Sequence, residues 1–329
     1  MPDKSDKSCT ICGGKTIHLF STKDLAPLKG DGESFDILKC TRCHVAVTDP
    51  LPGEASIGDY YPAQYYGEGS KKFSSLFEIL IKLFRGGRAK KVTSLKSKGW
   101  VLDMGCGRGW MLKMLKDRGF DVIGTELSDD SARFARESLG LDIKVGKLED
   151  VDLEKGSIDI ITMWHSFEHV YNPKGVLPRA GELLKDDGSL LISVPNFASL
   201  QSQIGKGLWF HLDSPRHLYH FTPSSLERML DECGFKVTEK WYSSLEYNFF
   251  GMVQTLYNVM GLKPNLLYDI IRSGSAKLSG SSFASTIVGI ILMTLLSTLV
   301  FPASFILTIA TDCTALGGTI NFVAKKTKS

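Results

Sequence analysis

The stretch VLDMGCGRG, Val101 to Gly109, starts as an apolar run, reaches an acid at Asp103 and then breaks into alternating glycines. Such a segment reads as a strand running into a tight turn. The next residues, WMLKMLKDRG, read as a helix stopped by a C-terminal glycine, Gly119. The pattern then repeats. FDVIGTE is a second strand ending in Glu126, and Ser128 is placed to cap the helix DDSARFARESLG. LDIKV, IDIITMW, SLLISVP and KVTEKWY read as further strands, with helices around 176–184 and 224–233. Alternating strand and helix predicts an α/β fold with a doubly wound sheet, parallel at least in its first half.

The turn is Asp103-x-Gly105-x-Gly107-x-Gly109. Dinucleotide-binding turns space their glycines as G-x-G-x-x-G so that backbone amides meet a pyrophosphate. Strictly alternating glycines preceded by an acid suit a ligand without phosphates that carries an amino-acid group and a ribose. Glu126 lies 17 residues beyond Gly109, at the tip of the second strand, where a carboxylate can accept both ribose hydroxyls.

At these residues the chain resembles the class I S-adenosylmethionine (SAM)-dependent methyltransferases. VLDMGCGRG is similar to their first motif and GTELS to their acidic second-strand motif. GKLEDV, IDIITMWHSFEHV, NPKGVLPRAGELLKDDGSLLISVPN and PRHLYHFTPSSLERMLDECGF follow in the family's order. The similarity covers about Tyr60 to Tyr242 and resumes at GGTINFVAKK, near Gly317. The subgroup it looks like joins a Cys-rich N-terminus to this core and often acts on sugars, lipid carriers or small aromatic acceptors. The resemblance implies a Rossmann-like seven-stranded sheet and SAM as cofactor. It implies that Asp103 and the loop Gly105, Cys106, Gly107 and Gly109 hold the amino-acid end. Glu126 takes the ribose, Leu127 flanks the adenine, and Leu148 and Glu149 meet the adenine edge. Trp164 and His165 end the fourth strand near the reactive methyl. Lys147 departs from the pattern, since many relatives carry Asp or Thr there.

The donor is already activated, so the protein supplies alignment, water exclusion and, for a hydroxyl acceptor, a base with a pKa near neutrality. Histidine fits. Of His165, His169, His211, His217 and His220, the candidates for catalysis are His165, after the fourth strand, and His217, in the loop DSPRHLYHFT. His169 in EHV reads as structural. Asp213 and Arg216 either orient the acceptor or form a loop salt bridge. Methylation of exocyclic base amines goes with an Asn/Asp-Pro-Pro-aromatic stretch after the fourth strand, and ring methylation of cytosine with Pro-Cys. The chain reads MWHS there, which argues against both.

Upstream, CTIC and CTRC place Cys9, Cys12, Cys40 and Cys43 as two C-x-x-C pairs with 27 residues between them. That spacing predicts a closed four-thiolate zinc site, structural rather than catalytic; two unrelated thiol pairs or a redox site are the alternative. His18 and His44 read as surface residues. The N-terminus, MPDKSDKSC, shows no apolar segment of a secretory signal, and in a reducing cytosol cysteines serve as metal ligands or free thiols. The net charge of +3 does not suggest a nucleic-acid binder. Lys71 to Lys98, however, holds nine Lys or Arg and one acid, Glu78, which suits an anionic lipid surface or a phosphate-bearing substrate. Within that block Phe73, Phe77, Leu80 and Phe84 fall at helical spacing, as in a capping helix or a membrane-surface helix.

Near the C-terminus IVGIILMTLLSTLVFPASFILTIA, Ile287 to Ala310, holds no charge. As one helix it would be about 36 Å long, enough to cross a core of roughly 30 Å. Yet GGTINFVAKK alternates like a strand. If it rejoins the sheet beside Val237–Trp241, both flanks of the run stay on one side of any membrane. Lys263, Arg272 and Lys277 before the run, and Lys325, Lys326 and Lys328 after it, agree with two cytoplasmic flanks. Pro302 can break the run in two. The expectation is an apolar helical hairpin inserted before the last strand, dipping into one leaflet or lying on it; a buried helical pair and a true span are the alternatives.

The predicted organisation is a zinc-ribbon-like module over 1–55, a linker and capping helices over 56–98, and a SAM-binding core over 99–245. A helical insertion with the hairpin covers 246–316, and the last strand with a basic tail covers 317–329. The leading reading is an O-methyltransferase of a hydrophobic, lipid-linked or glycan-type acceptor, peripheral or monotopic on the inner face of the cytoplasmic membrane, with nucleic acid as a disfavoured partner. A methyltransferase of a soluble metabolite or sugar nucleotide is the second reading. A non-catalytic binding protein, using the ribbon for a protein or RNA partner, is the third.

Overall fold

The computed structural model describes residues 7–26, 32–61, 86–273 and 283–327. The predicted helix over Phe73–Phe84 lies outside them. In chain order the strands are β1 (Thr16–Lys23), β2 (Ser34–Cys40), β3 (Ala46–Asp49), β4 (Trp100–Met104), β5 (Asp121–Glu126), β6 (Asp142–Val145), β7 (Ile158–Trp164), β8 (Leu184–Pro195), β9 (Tyr219–His220), β10 (Phe235–Trp241) and β11 (Thr319–Lys326). The helices are α1 (86–95), α2 (Trp110–Lys116), α3 (Asp129–Leu139), α4 (Pro173–Leu183), α5 (Leu200–Gly205), α6 (Pro223–Glu232), α7 (Phe250–Val259), α8 (Leu266–Ser273) and α9 (Phe283–Asp312). The chain divides into two compact units: Met1–Leu80, Pro195–Pro223 and Trp241–Ile320 form unit 1, and Ile81–Val194, Ser224–Lys240 and Asn321–Ser329 form unit 2.

Unit 2 is built on a seven-stranded sheet in the order β10-β11-β8-β7-β4-β5-β6. β4 runs parallel to β5 and β7, β5 to β6, and β7 to β8, as the alternating sequence predicts. Two of the helices have a readable start. Ser128 Oγ accepts the N–H of Ser131 to open α3, and Asn172 Oδ1 accepts that of Gly175 to open α4 behind Pro173. Leu102, Ile143, Ile161 and Leu191 from the strands, with Leu112 and Leu115 from α2, are fully buried. The chain winds outward from β4 to β5 and β6, then crosses back to β7 and β8 on the other side. The order therefore reverses between β4 and β7, and the carboxyl ends of strands at such a switch point are where open α/β sheets bind ligands. β11 lies between β8 and β10, so the last strand rejoins the sheet as expected.

Unit 1 holds the cysteine module. Its sheet is ordered β1-β2-β3-β9, all neighbours antiparallel, so residues 219–220 supply the fourth strand to an N-terminal module of three. Ile37, Ala46, Trp209 and Leu212 form a small core beneath it. Helices α5, α7, α8 and α9 make up the rest, with Val253, Tyr257, Leu262 and Val300 packed together.

The uncharged run departs from expectation. It is not a hairpin but one continuous helix of 30 residues, α9, with Pro302 inside it. Proline removes one backbone hydrogen bond from a helix, at a cost of about 3 kcal/mol. A reversal at Pro302 would leave several backbone groups without partners, and the sequence VFPAS offers neither glycine nor Asn or Asp to build the turn. One lost bond is the smaller penalty.

Candidate active site and metal centre

At the switch point β4 delivers Asp103 and the glycine loop, and β7 delivers Trp164 and His165. Gly105, Gly107 and Gly109 all have positive φ, a conformation costly for residues with a Cβ. A Cβ on Gly105 would stand 2.7 Å from Ser166 Cβ, so the loops after β4 and β7 touch there. At Gly107 a Cβ would meet nothing within 4 Å: the loop's middle residue faces open space. Gly109 forms the N-cap of α2.

Glu126 ends β5 beneath this loop. Its Oε2 accepts the Gly107 N–H at 2.7 Å and its Oε1 the Ser128 N–H at 2.9 Å. Each oxygen keeps a further lone pair for a ligand hydroxyl. Burial pushes the carboxyl above its ordinary range, partly offset by the N–H donors of Ser128, Gly107 and Leu127. Asp103 is buried and its Oδ1 accepts from Thr162 Oγ1 at 2.7 Å. Burial pushes its pKa up to about 7; the Thr162 hydroxyl and the Arg88 guanidinium work against that shift, and Glu126 adds to it. Cys106 turns away from the opening: its Sγ lies 2.6 Å from where a Cβ on Gly124 of β5 would stand, and burial raises its thiol. Only its backbone is left to face a ligand. Leu127 is exposed, Leu148 is fully buried in a 3-10 turn, Leu148–Asp150, and Glu149 is half-buried.

The residues fit the cofactor that the resemblance implies. Two buried polar atoms beside the loop, Trp164 Nε1 and Ser166 Oγ, have no hydrogen-bond partner among the described residues, and there is open space over Gly107, whose N–H Glu126 holds. One further residue belongs here that the sequence did not reveal. Arg88, on α1, holds its guanidinium carbon 5.7 Å from the centroid of the Trp164 ring and acts on Asp103. Its only signal in the sequence was membership of a basic block.

The two candidate bases differ. His165, at the tip of β7, has φ of +50°, the kind of backbone strain that gathers at functional sites. Its Nδ1 is 3.4 Å from Glu168 Oε1 and its Nε2 is 3.4 Å from Ser193 Oγ, whose proton goes to Asn321 Oδ1. Both ring nitrogens thus face acceptors. In unit 1, His217 is buried, and its Nδ1 is 2.9 Å from the carbonyl oxygen of His211. A carbonyl only accepts, so Nδ1 carries the proton. Asp213 and Arg216 form the loop salt bridge rather than an acceptor-binding pair. Arg216 is buried and bonded to Asp213 at 2.8 Å and to Asp24 at 2.7 Å. His18 pairs with Asp36 at 3.2 Å and His44 is exposed, as expected of surface residues.

The four cysteines converge. Their sulfurs all lie within 4.8 Å of one another, with Cys9 to Cys43 at 3.8 Å and Cys12 to Cys40 at 3.4 Å. Thiolates at ~2.3 Å from a tetrahedral centre stand about 3.8 Å apart, so the donor set fits zinc. Cys40 Sγ accepts N–H bonds from Arg42 and Cys43, which orient it inward. Gly14 leaves the room: a Cβ there would be 2.8 Å from Arg42 Cβ and 3.0 Å from Cys40 Sγ.

Residues 76–240, just over half of the chain, match the family model described as a methyltransferase domain. Over 146 residues, 40% of it, the chain is 27% identical to a ubiquinone biosynthesis O-methyltransferase of Idiomarina loihiensis, covering 59% of that protein. It is 32% identical over 102 residues, 29% of it, to a ubiquinone biosynthesis O-methyltransferase of Xanthomonas campestris, covering 43%. The chain thus spans about half the length of these curated relatives. Among solved structures it aligns with a SAM-dependent methyltransferase from Archaeoglobus fulgidus at a TM-score of 0.46 and 20% identity, over 74% of this chain and 94% of that one. The family match falls on the segment that carries the glycine loop and both acids, and on that ground the chain belongs to the class I SAM-dependent methyltransferases.

Proposed function

We propose that the chain transfers the methyl group of SAM to a hydroxyl oxygen of a hydrophobic, lipid-linked or glycan-type acceptor at the inner face of the cytoplasmic membrane. The observation that carries this reading is the likeness, over the cofactor-binding segment, to proteins named ubiquinone biosynthesis O-methyltransferases. The uncharged α9 supports the membrane location.

When bound, SAM supplies an activated methyl group, and the protein's work is to hold and align it. Asp103 would hold the ammonium end, with the backbone of Gly105, Cys106, Gly107 and Gly109 around it. Glu126, while fixing Gly107, would accept the ribose hydroxyls. Leu127 and the backbone of Leu148 and Glu149 would hold the adenine, and Trp164 would stand next to the methyl. His217 and His165 are the candidates to take the hydroxyl proton. Zinc at Cys9, Cys12, Cys40 and Cys43 holds the ribbon together and takes no part in transfer, because four thiolates leave no open position.

The test is steady-state methyl transfer to a short-chain catechol or phenol. His217→Ala should lower kcat by roughly 10²–10⁴-fold with the KM for SAM unchanged. Transfer to nitrogen or carbon acceptors only, or a kcat untouched by both His217→Ala and His165→Ala, would remove the hydroxyl and base assignments.

A further inference from the structure

The two long faces of α9 are arranged the reverse of a helix at a water surface. Val288, Ile291, Leu295, Leu299, Ile306 and Ile309 recur at three- and four-residue steps, and all are exposed: Leu295 by 66%, Leu299 by 70%, Ile306 by 65%. Pro302 falls on the same face. Among the described side chains, the inward face carries most of the hydroxyls. Ser304, Thr308 and Thr311 are buried, and Ser297 is 2.8 Å from the Tyr257 hydroxyl. A helix bathed in water puts its apolar stripe inside and its polar residues out.

The exposed face is also prepared for a medium without water. Among the described side chains its hydroxyls are those of Thr294 and Thr298, which donate to the carbonyls of Ile290 and Leu295 in their own helix, at 2.8 and 3.0 Å. Dehydrating this face therefore strands neither of them.

Packing sets the orientation. The inward face is held by protein along nearly its whole length. It meets Leu266 of α8 at Gly289, Val253 and Tyr257 of α7 at Met293, Leu296 and Val300, and the Asn248 amide at Asp312, while Phe249 packs beside the exposed Phe301 and Phe305. The supporting helix α7 buries Gln254 and Asn258, which bond to one another at 2.8 Å, and Asn258 reaches Asn265. For α9 to cross a bilayer, this amide cluster would have to enter it too.

A second copy of the chain is a poor occupant for the stripe. From Val288 to Ile309 it is about 33 Å long at 1.5 Å per residue, and one side of a helix is about 10 Å wide, giving roughly 330 Å². A stable protein interface needs about 800 Å² on each partner. A lipid surface needs no such matching area, because it covers whatever apolar face is laid on it.

We propose that α9 is an in-plane membrane anchor that lies flat in one leaflet, with the Val288–Ile309 stripe in the acyl chains and the hydroxyl face on the protein. This deepens the function proposed above, whose membrane location it rests on.

The test is flotation of the full-length protein with vesicles of neutral phosphatidylcholine, with and without phosphatidylglycerol. The wild type should float with both and stay bound in 1 M salt, since the contact is apolar. The double variant Leu295→Glu/Leu299→Glu replaces two exposed side chains. It should bind at least about tenfold more weakly while keeping its melting temperature and its affinity for SAM. Unchanged flotation of this variant overturns the proposal. So does a wild type that stays below the vesicles as a dimer which the variant turns into monomers. For orientation, a fluorescent amino acid placed in turn at Val288, Leu299 and Ile309 is quenched by lipids brominated at shallow or deep positions. Equal shallow quenching at all three is expected, whereas deep quenching at Leu299 alone would mean a span. Intact flotation without methyl transfer to any lipid-linked acceptor would count against the proposed function and leave the anchor standing.

Discussion

The carboxylate of Glu126 accepts the backbone N–H of Gly107 at 2.7 Å, binding the tip of β5 to the middle of the glycine loop. One side chain thus shapes the loop, and in the proposed cofactor site its remaining lone pairs would meet the ligand. The loop is held in place before any cofactor arrives, so little ordering is left to be done on binding.

Glu126→Gln tests this coupling. An amide has one acceptor oxygen for two backbone donors, and its NH₂ group faces one of them. Losing a hydrogen bond to a charged acceptor costs about 1.5–3 kcal/mol. Calorimetry with SAM should show affinity reduced by roughly ten- to a hundredfold, with a lowered melting temperature for the unliganded protein.

As the proposed partner of the SAM ammonium group, Asp103 should make cofactor binding depend on pH. Its folded pKa of about 7 means that near neutrality a proton must leave before the carboxylate can hold an ammonium group. Affinity for SAM should fall as pH drops below 7, by up to about tenfold per unit. The unliganded fold responds in the opposite sense. A raised carboxyl pKa stabilises the folded state below the unfolded value of about 3.8, and that contribution is lost as pH rises through about 7. Titration calorimetry of Asp103→Asn between pH 5.5 and 8 should give a flat profile.

Asp159 behaves in the reverse manner. Burial favours its neutral form, but Lys96 at 2.5 Å, Lys185 at 2.9 Å and the N–H of Trp100 at 2.8 Å outweigh burial and hold its pKa at about 2. Its stabilisation is present above the unfolded value of about 3.8 and is lost as pH falls through about 2. Asp159→Asn should destabilise unit 2 by about 1–3 kcal/mol at pH 7 in urea unfolding, and the difference from wild type should shrink toward pH 2.

The cysteine cluster predicts one zinc per chain by elemental analysis. Cys40→Ala should abolish it, because Cys40 carries two of the N–H···S bonds that set the site. Strand β9, residues 219–220, is part of the ribbon's sheet. Chelation should therefore raise amide exchange at Tyr219 and His220 as well as over β1 to β3, whereas a metal-independent ribbon would leave exchange unchanged.

The sequence by itself determined the elements whose signals are local. Two C-x-x-C pairs announce a tetrahedral sulfur site because two intervening residues build the turn that aims both thiols at one point. The spacing of Asp103 and its glycines announces a strand, a turn and a helix, and the alternation in TINFVAKK announces the strand that rejoins the sheet. Only the tertiary structure decided matters that rest on partners far away in the chain. Arg216 is spent on Asp24, 192 residues distant, and so is unavailable to an acceptor. Arg88 reaches Trp164 from a helix whose composition announced only charge. Pro302 does not break α9, because a lone proline costs one hydrogen bond and a turn there would cost several. The sidedness of α9, hydroxyls in and apolar residues out, was equally hidden. Mean hydropathy averages around the helix, and only packing against α7 and α8 tells one face from the other.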